Sequence, residues 1–320
     1  MLWGVAQWVA LVATVAVIAG LFLSPDTTLL VLWSVIIPLV PASLLITPKA
    51  WRNVCPLATL NMLTAGRINR RPQPIGFGSG ANTLGIVLLV ALVPARHFIF
   101  NTNGPVLAVT VIAVALAALV LGALFDAKAG FCNAICPVLP VERLYGHSPL
   151  IEISNPRCTP CTACARACVD VSPRKNIAQM LGRSESDSRW LLTPFGVFAA
   201  AFPGFVVGYF TVADGPLSTA GSVYINVLLW AAASYALIAL VTALAQVRLA
   251  TMLRVLAALA AGIYYWFAAP AIVTAVGGAG APSAATWALR VLALGLVIGW
   301  WWRASVRGSG NGKAAVGAAA

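Results

Sequence analysis

Long apolar runs broken by short polar connections dominate this chain. A helix needs about 20 largely apolar residues to cross a bilayer. Eight segments meet that length: Leu2–Leu23, Leu29–Ile46, Asn82–Phe100, Val106–Phe125, Trp190–Val212, Val223–Val247, Val255–Val276 and Ala284–Trp302. Arg96 and His97 fall near the end of the third, and Arg290 lies inside the eighth. The first run lacks a basic leader and is long for a signal-peptide core, so it reads as a retained helix. The pattern predicts an all-α polytopic membrane protein with about 8 transmembrane helices.

Composition agrees. Of 320 residues, 61% are hydrophobic and 9% charged, with a mean hydropathy of +0.92. Soluble domains carry about a quarter charged residues, so a water-soluble globular fold is excluded. The 20 Lys and Arg outnumber 8 Asp and Glu. In a polytopic chain that excess orients the helices and need not signal nucleic acid. With both termini on the cytoplasmic side, 18 of the 20 basic residues fall in cytoplasmic loops or the tail, leaving Arg96 outside and Arg290 within a helix. The expected location is the inner (cytoplasmic) membrane. The expected organisation is a four-helix membrane half (1–125), a cytoplasmic segment (126–189), a second four-helix half (190–303) and a Gly/Ala-rich disordered tail (304–320). Trp300, Trp301 and Trp302 read as an interfacial aromatic belt.

Asp126–Arg189 is the one long polar segment and holds six of the seven cysteines. It contains Cys158-Thr-Pro-Cys161-Thr-Ala-Cys164-Ala-Arg-Ala-Cys168, a C-x2-C-x2-C-x3-C run. Three thiolates from one tight loop bind three iron corners of a cubane, and the fourth cysteine of such a run points toward a neighbouring cluster. The small Thr and Ala between ligands let backbone amides reach the sulfurs. Disulfides do not suit a reducing compartment, and structural zinc favours two separated C-x2-C pairs. The run therefore predicts a small cytoplasmic ferredoxin-like iron–sulfur loop insertion. Leu150–Ile153 is expected to form a short strand before it.

The remaining cysteines are patterned too. Phe131-Cys132-Asn-Ala-Ile-Cys136-Pro137 follows the fourth run, and Trp51-Arg-Asn-Val-Cys55-Pro56 follows the second. At an offset of 81 residues, Trp51 falls over Cys132, Cys55 over Cys136 and Pro56 over Pro137. The first half thus reads as a repeated hairpin plus cysteine motif, with one cysteine replaced by Trp. Motifs of this kind at helix ends, beside a ferredoxin-type run, resemble the membrane polyferredoxin family, the NapH-, NosR- and CcoG-type accessory proteins of respiratory systems. The resemblance covers roughly residues 29–177. It implies cluster-ligand roles for Cys55, Cys132, Cys136, Cys158, Cys161, Cys164 and Cys168, and electron transfer or assistance to a redox enzyme at the cytoplasmic face. This chain has one ferredoxin run where the family usually has two, Val169 replaces the usual Pro, and the last four spans carry no family motif.

Seven cysteines leave the cluster count open. In one arrangement Cys158, Cys161 and Cys164 share a [4Fe-4S] cluster with Cys136 or Cys55. Cys168 then serves a second cluster with the other two, as [3Fe-4S] or as [4Fe-4S] completed by His147 or Asp170. In the other, Cys158, Cys161, Cys164 and Cys168 hold a single cluster. His97 and His147 are expected on opposite sides, so no bis-histidine haem is expected, and no flavin or nucleotide motif is present. Arg157, Arg166, Arg174 and Lys175 suit either an acidic electron carrier or anionic lipid. The leading expectation is an electron-transfer protein or oxidoreductase subunit with a quinone or redox complex as partner. The alternative is an assembly or metal-reducing accessory factor for a respiratory enzyme.

Overall fold

The computed structural model describes residues 2–65, 78–125, 128, 130–153, 188–245, 247–278 and 280–317. The described residues form helices and no β-strand. Among the described residues, seven helical segments are long and apolar enough to cross a membrane: Trp3–Leu23, Pro25–Ile46, Gly80–His97, Gly104–Leu124, Leu217–Ala245, Leu249–Gly277 and Ser283–Val306. The chain is a polytopic α-helical membrane protein.

The first run is one helix, α1 (Leu2–Leu23). The second is broken into α2 (Pro25–Val31), a π-helical turn Leu32–Ile36, and α3 (Ile37–Ile46). Pro38 and Pro41 supply no backbone N–H, and a widened turn is one way a helix absorbs such gaps. Tyr265 Oη donates to the Pro38 carbonyl at 2.7 Å. Two short helices follow, α4 (Pro48–Val54) and α5 (Pro56–Thr64), each opened by proline at its first position, where the missing N–H costs nothing. The second hairpin is α6 (Gly78–Leu92) and α7 (Gly104–Leu124), and α8 (Leu139–Gly146) closes the half.

These two copies exchange their short helices. α5, from the first copy, lies on α7 of the second: Asn61 Nδ2 donates to the Ala118 carbonyl at 2.9 Å, and Thr64 Oγ1 to Leu119 at 2.6 Å. α8, from the second, lies on α3 of the first. The chain after α8 then donates from the Leu150 and Ile151 amides to the Leu45 and Ile46 carbonyls, at 3.1 and 2.8 Å. Helix ends leave such carbonyls without an intrahelical donor. Leu150–Ile153, expected as a strand, is instead an irregular cap on α3, because its first two amides find helix-end carbonyls.

The fifth expected span is shorter than its apolar run. A 3-10 turn (Ser188–Leu192) leads into α9 (Pro194–Phe210), which has 17 residues. Thr193 fixes its start by accepting from the Gly196 amide at 3.1 Å. At about 1.5 Å per residue α9 measures about 26 Å, below the 30 Å or so of a hydrocarbon core. Its surroundings explain how it is tolerated. Phe195, Phe198, Phe202, Phe205 and Tyr209 form a buried aromatic stripe, at the spacing that keeps one helix face inward.

Next come α10 (Ala220–Ala245), α11 (Leu249–Gly277) and α12 (Ser283–Gly317). The backbone of α12 continues helically past Arg307, into the stretch read from composition as a tail. Gly204 and Gly208 on α9 meet the α10 backbone at Trp230 and Val227, so closely that a Cβ at Gly204 has no room. Such small-xxx-small pairs let membrane helices approach. Asn226 adds hydrogen bonds to the Gly208 carbonyl and Thr211 Oγ1, both at 3.1 Å.

The bundle has two distinct ends. Gln7 near the start of α1 donates to the Asn53 carbonyl at 2.8 Å. Asn82 at the start of α6 accepts from Arg143 of α8 at 2.9 Å. Trp300 of α12 meets the His147 ring edge-on at 5.5 Å. These contacts bring α1, α6 and α12 to one end, together with Cys55 and Cys136. At the distal end α6 terminates in a 3-10 turn, Pro94–His97, beside Tyr209 and the α9–α10 connection. Tyr224 of α10 donates to Ala91 near the distal end, while Tyr235 further along reaches Leu191 before α9. Short as it is, α9 runs from one end of the bundle to the other.

Candidate functional site

Cys55, Cys132 and Cys136 come together at the cysteine end. They belong to one apolar cluster with Ala58, Ala118 and Phe131. The two Cys-Pro corners are built alike. Cys55 is the residue before α5, and the Ala58 and Leu57 amides pull its thiol pKa down. Cys136 precedes Pro137, and the Val138 amide does the same. Proline after the cysteine gives up the one amide that would be unused, and the next amides face the sulfur. The loop holding Cys132 is tight: the Ala134, Ile135 and Cys136 amides all point at the Phe131 carbonyl, at 3.2, 3.1 and 3.1 Å.

Beneath the sulfurs lies a buried charge network. Arg52 directs both terminal nitrogens at Asn133 Oδ1, each at 3.1 Å, and its Nε pairs with Glu142 Oε1 at 2.5 Å. Lys128 Nζ donates to the Arg52 carbonyl at 3.2 Å. Arg52, Glu142 and Lys128 are 4%, 4% and 8% exposed. Arg52 and Asn133 occupy equivalent positions of the two motifs, so the repeat closes on itself through this contact.

Burial pushes the Cys55 thiol up, the Cys132 thiol well up, and the Cys136 thiol to about 12. The sulfurs also raise one another, while Lys128 and Arg52 pull the other way. As free groups all three are neutral thiols at pH 7. Thiolate ligation therefore releases protons, and loading strengthens as pH rises. Thiolates beside buried cations could hold a metal centre of net negative charge. The donor set offers soft sulfur ligands, amides directed at sulfur, two buried cations and an apolar wall. Among the described residues no three His, Cys, Asp or Glu side chains converge on one metal-ion position.

Cys158, Cys161, Cys164 and Cys168, the predicted iron–sulfur run, lie outside the described residues, as does Asp170. His147 is at the cysteine end, with Nδ1 2.7 Å from the Leu144 carbonyl. That acceptor assigns the proton to Nδ1. His97 is at the distal end, so the two histidines cannot share an iron.

Two features escaped the sequence reading. Arg52 and Lys128 read there as loop charges, and Glu142 was not singled out, but all three fold inward as the floor of the site. The offset that aligned the cysteines also aligned Arg52 with Asn133, and was the available signal. The second is Asp214, whose Oδ1 lies 2.6 Å from His97 Nδ1 and whose Oδ2 accepts from Asn101. With Arg96 donating to Tyr209 Oη at 2.6 Å, it clasps the distal end of α6 to α9. No motif marks this pair. The chain matches no family model, no curated protein sequence and no solved structure.

Proposed function

We propose that the chain is a membrane-bound iron–sulfur electron-transfer protein. It moves electrons along its cysteine end, to or from a quinone or a partner redox complex. The observation that carries this reading is the pair of Cys-Pro corners, whose amides face sulfur above the buried Arg52 and Lys128. Lys128 and Arg52 both favour thiolates at this spot, with Glu142 balancing part of their charge. Cys158, Cys161, Cys164 and Cys168 supply the ferredoxin-type ligands, and Cys55, Cys132 and Cys136 supply the rest. A bound cluster contributes reversible one-electron transfer. The protein holds the sulfurs, directs amides at them, balances their charge and excludes water through Phe131 and Ala118. The excess of basic residues at this end of the topology favours the cytoplasmic face of the inner membrane. Both histidines being remote from one another, transfer runs laterally along this end rather than through a haem pair.

The test is electron exchange. Anaerobically purified protein is reduced with dithionite, freed of excess reductant and mixed with decylubiquinone. The expected result is re-oxidation of the visible iron–sulfur absorption, lost in Cys136→Ser. Reduced clusters that stay reduced in the presence of the quinone would remove it from the reading and leave a protein partner. Iron-free protein would end it.

A further inference from the structure

Arg290 sits a third of the way along the apolar part of α12, and its surroundings explain half of its presence. Pro270 in α11 has no backbone N–H, so the carbonyl one turn earlier, at Trp266, loses its helical donor. Arg290 Nε takes that place at 3.0 Å. The guanidinium is held between two indoles, 4.5 Å from the Trp266 ring centroid and 5.0 Å from that of Trp287. A neutral donor would serve a lone carbonyl equally well. The two indole faces answer part of the positive charge, but no anion does: no Asp or Glu follows Asp214 in the sequence, and no carboxylate among the described residues pairs with Arg290.

Directly along the same face begins an apolar groove of about 550 Å³ between α11 and α12. Leu294, Ile298 and Trp301 continue the Arg290 stripe on α12, while Trp266, Gly262 and Val255 form the facing wall. Gly262 keeps it open, since a Cβ there would only just reach Leu294, at 3.5 Å. From Trp266 to Val255 the groove follows α11 for about 16 Å at 1.5 Å per residue, the reach of a lipid tail. A cation at the mouth of an apolar slot, toward the distal end, matches a phosphate above an acyl chain.

We infer that this groove is a binding site for an anionic phospholipid of the distal leaflet. Its phosphate pairs with the Arg290 guanidinium, and one acyl chain fills the slot past Gly262.

Native mass spectrometry of the delipidated full chain tests this, with phosphatidylglycerol, phosphatidylcholine and ubiquinone added separately. One basic side chain facing anionic lipid is worth about 1 kcal/mol, or about fivefold in affinity. Wild type is expected to retain phosphatidylglycerol over phosphatidylcholine by that factor. Arg290→Gln abolishes the preference, Arg290→Lys keeps part of it, and Gly262→Leu weakens retention of both lipids by filling the slot. Gly262→Leu leaves Arg290 and its carbonyl partner alone, so the tail site stays testable if Arg290→Gln fails to fold. Equal retention of the two phospholipids would overturn the inference. So would retention unchanged in both Arg290→Gln and Gly262→Leu, wild type retaining ubiquinone more strongly than phosphatidylglycerol, or a lipid-free dimer that Gly262→Leu dissolves.

Discussion

Replacing Glu142 by Gln is expected to destabilise the protein by about 3–5 kcal/mol, the cost of leaving one member of a buried ion pair unpaired. Arg52 and Glu142 have side chains only 4% and 6% exposed, so solvent cannot compensate the stranded guanidinium. The damage also reaches the site. Arg52 holds Asn133, which sits between Cys132 and Cys136, and its carbonyl holds Lys128. Glu142→Gln protein should therefore show a lower unfolding midpoint and less iron per folded chain. The double substitution Arg52→Met with Glu142→Leu removes both charges and should recover most of the stability. It should not recover the iron, because one of the two cations beside the sulfurs is gone and Asn133 has lost its hold. A cost of Glu142→Gln below about 1 kcal/mol would place the pair among solvated surface bridges.

The second large effect is expected at Gly122. A side chain there runs into the Asn61 carbonyl and Thr64 Oγ1, the contact by which α5 rests on α7. Overpacking of this kind costs about 1–3 kcal/mol. Gly122→Val should lever α5 away and carry Cys55 with it, since Cys55 is the residue on which α5 begins. Gly204→Val provides the contrast. It clashes with Trp230 and Ser234 of α10, far from the sulfurs, and should lower the yield of folded protein without lowering iron per folded chain. Iron content normalised to monodisperse protein separates the two. Equal iron in both variants would detach the α5–α7 contact from the site.

Much of this architecture was legible because a bilayer imposes a simple code. Leu2–Leu23 was read with the bounds of α1, and the expected Val106–Phe125 run lies almost wholly within α7, whose start is set by Asn103 and Pro105. Hydrophobicity carries no information on enclosure, however. Trp190–Val212 is apolar enough for a full span, yet the Thr193–Pro194 cap shortens the helix and its neighbours bury what remains. Long-range polar pairs were illegible for a related reason. Arg52 with Glu142, and His97 with Asp214, join residues whose sequence separations obey no helical or strand period. Leu150–Ile153 shows the ambiguity of a short stretch whose apolar residues are interrupted by Glu152; its partners are the last carbonyls of α3, which only the fold brings near. The cysteine repeat lies between these cases. Its alignment could be read from the chain, but the exchange of α5 and α8 that makes it a site could not.

Low-temperature EPR of anaerobically purified protein, oxidised and then dithionite-reduced, with iron and sulfide counted, decides whether the chain carries clusters. Iron–sulfur signals are expected, with Cys55→Ser, Cys132→Ser and Cys136→Ser each lowering iron per chain or converting one signal. Full iron and unaltered spectra in all three variants would contradict a ligand role for the paired motifs. No iron and no signal in the wild-type protein would contradict the electron-transfer reading as a whole.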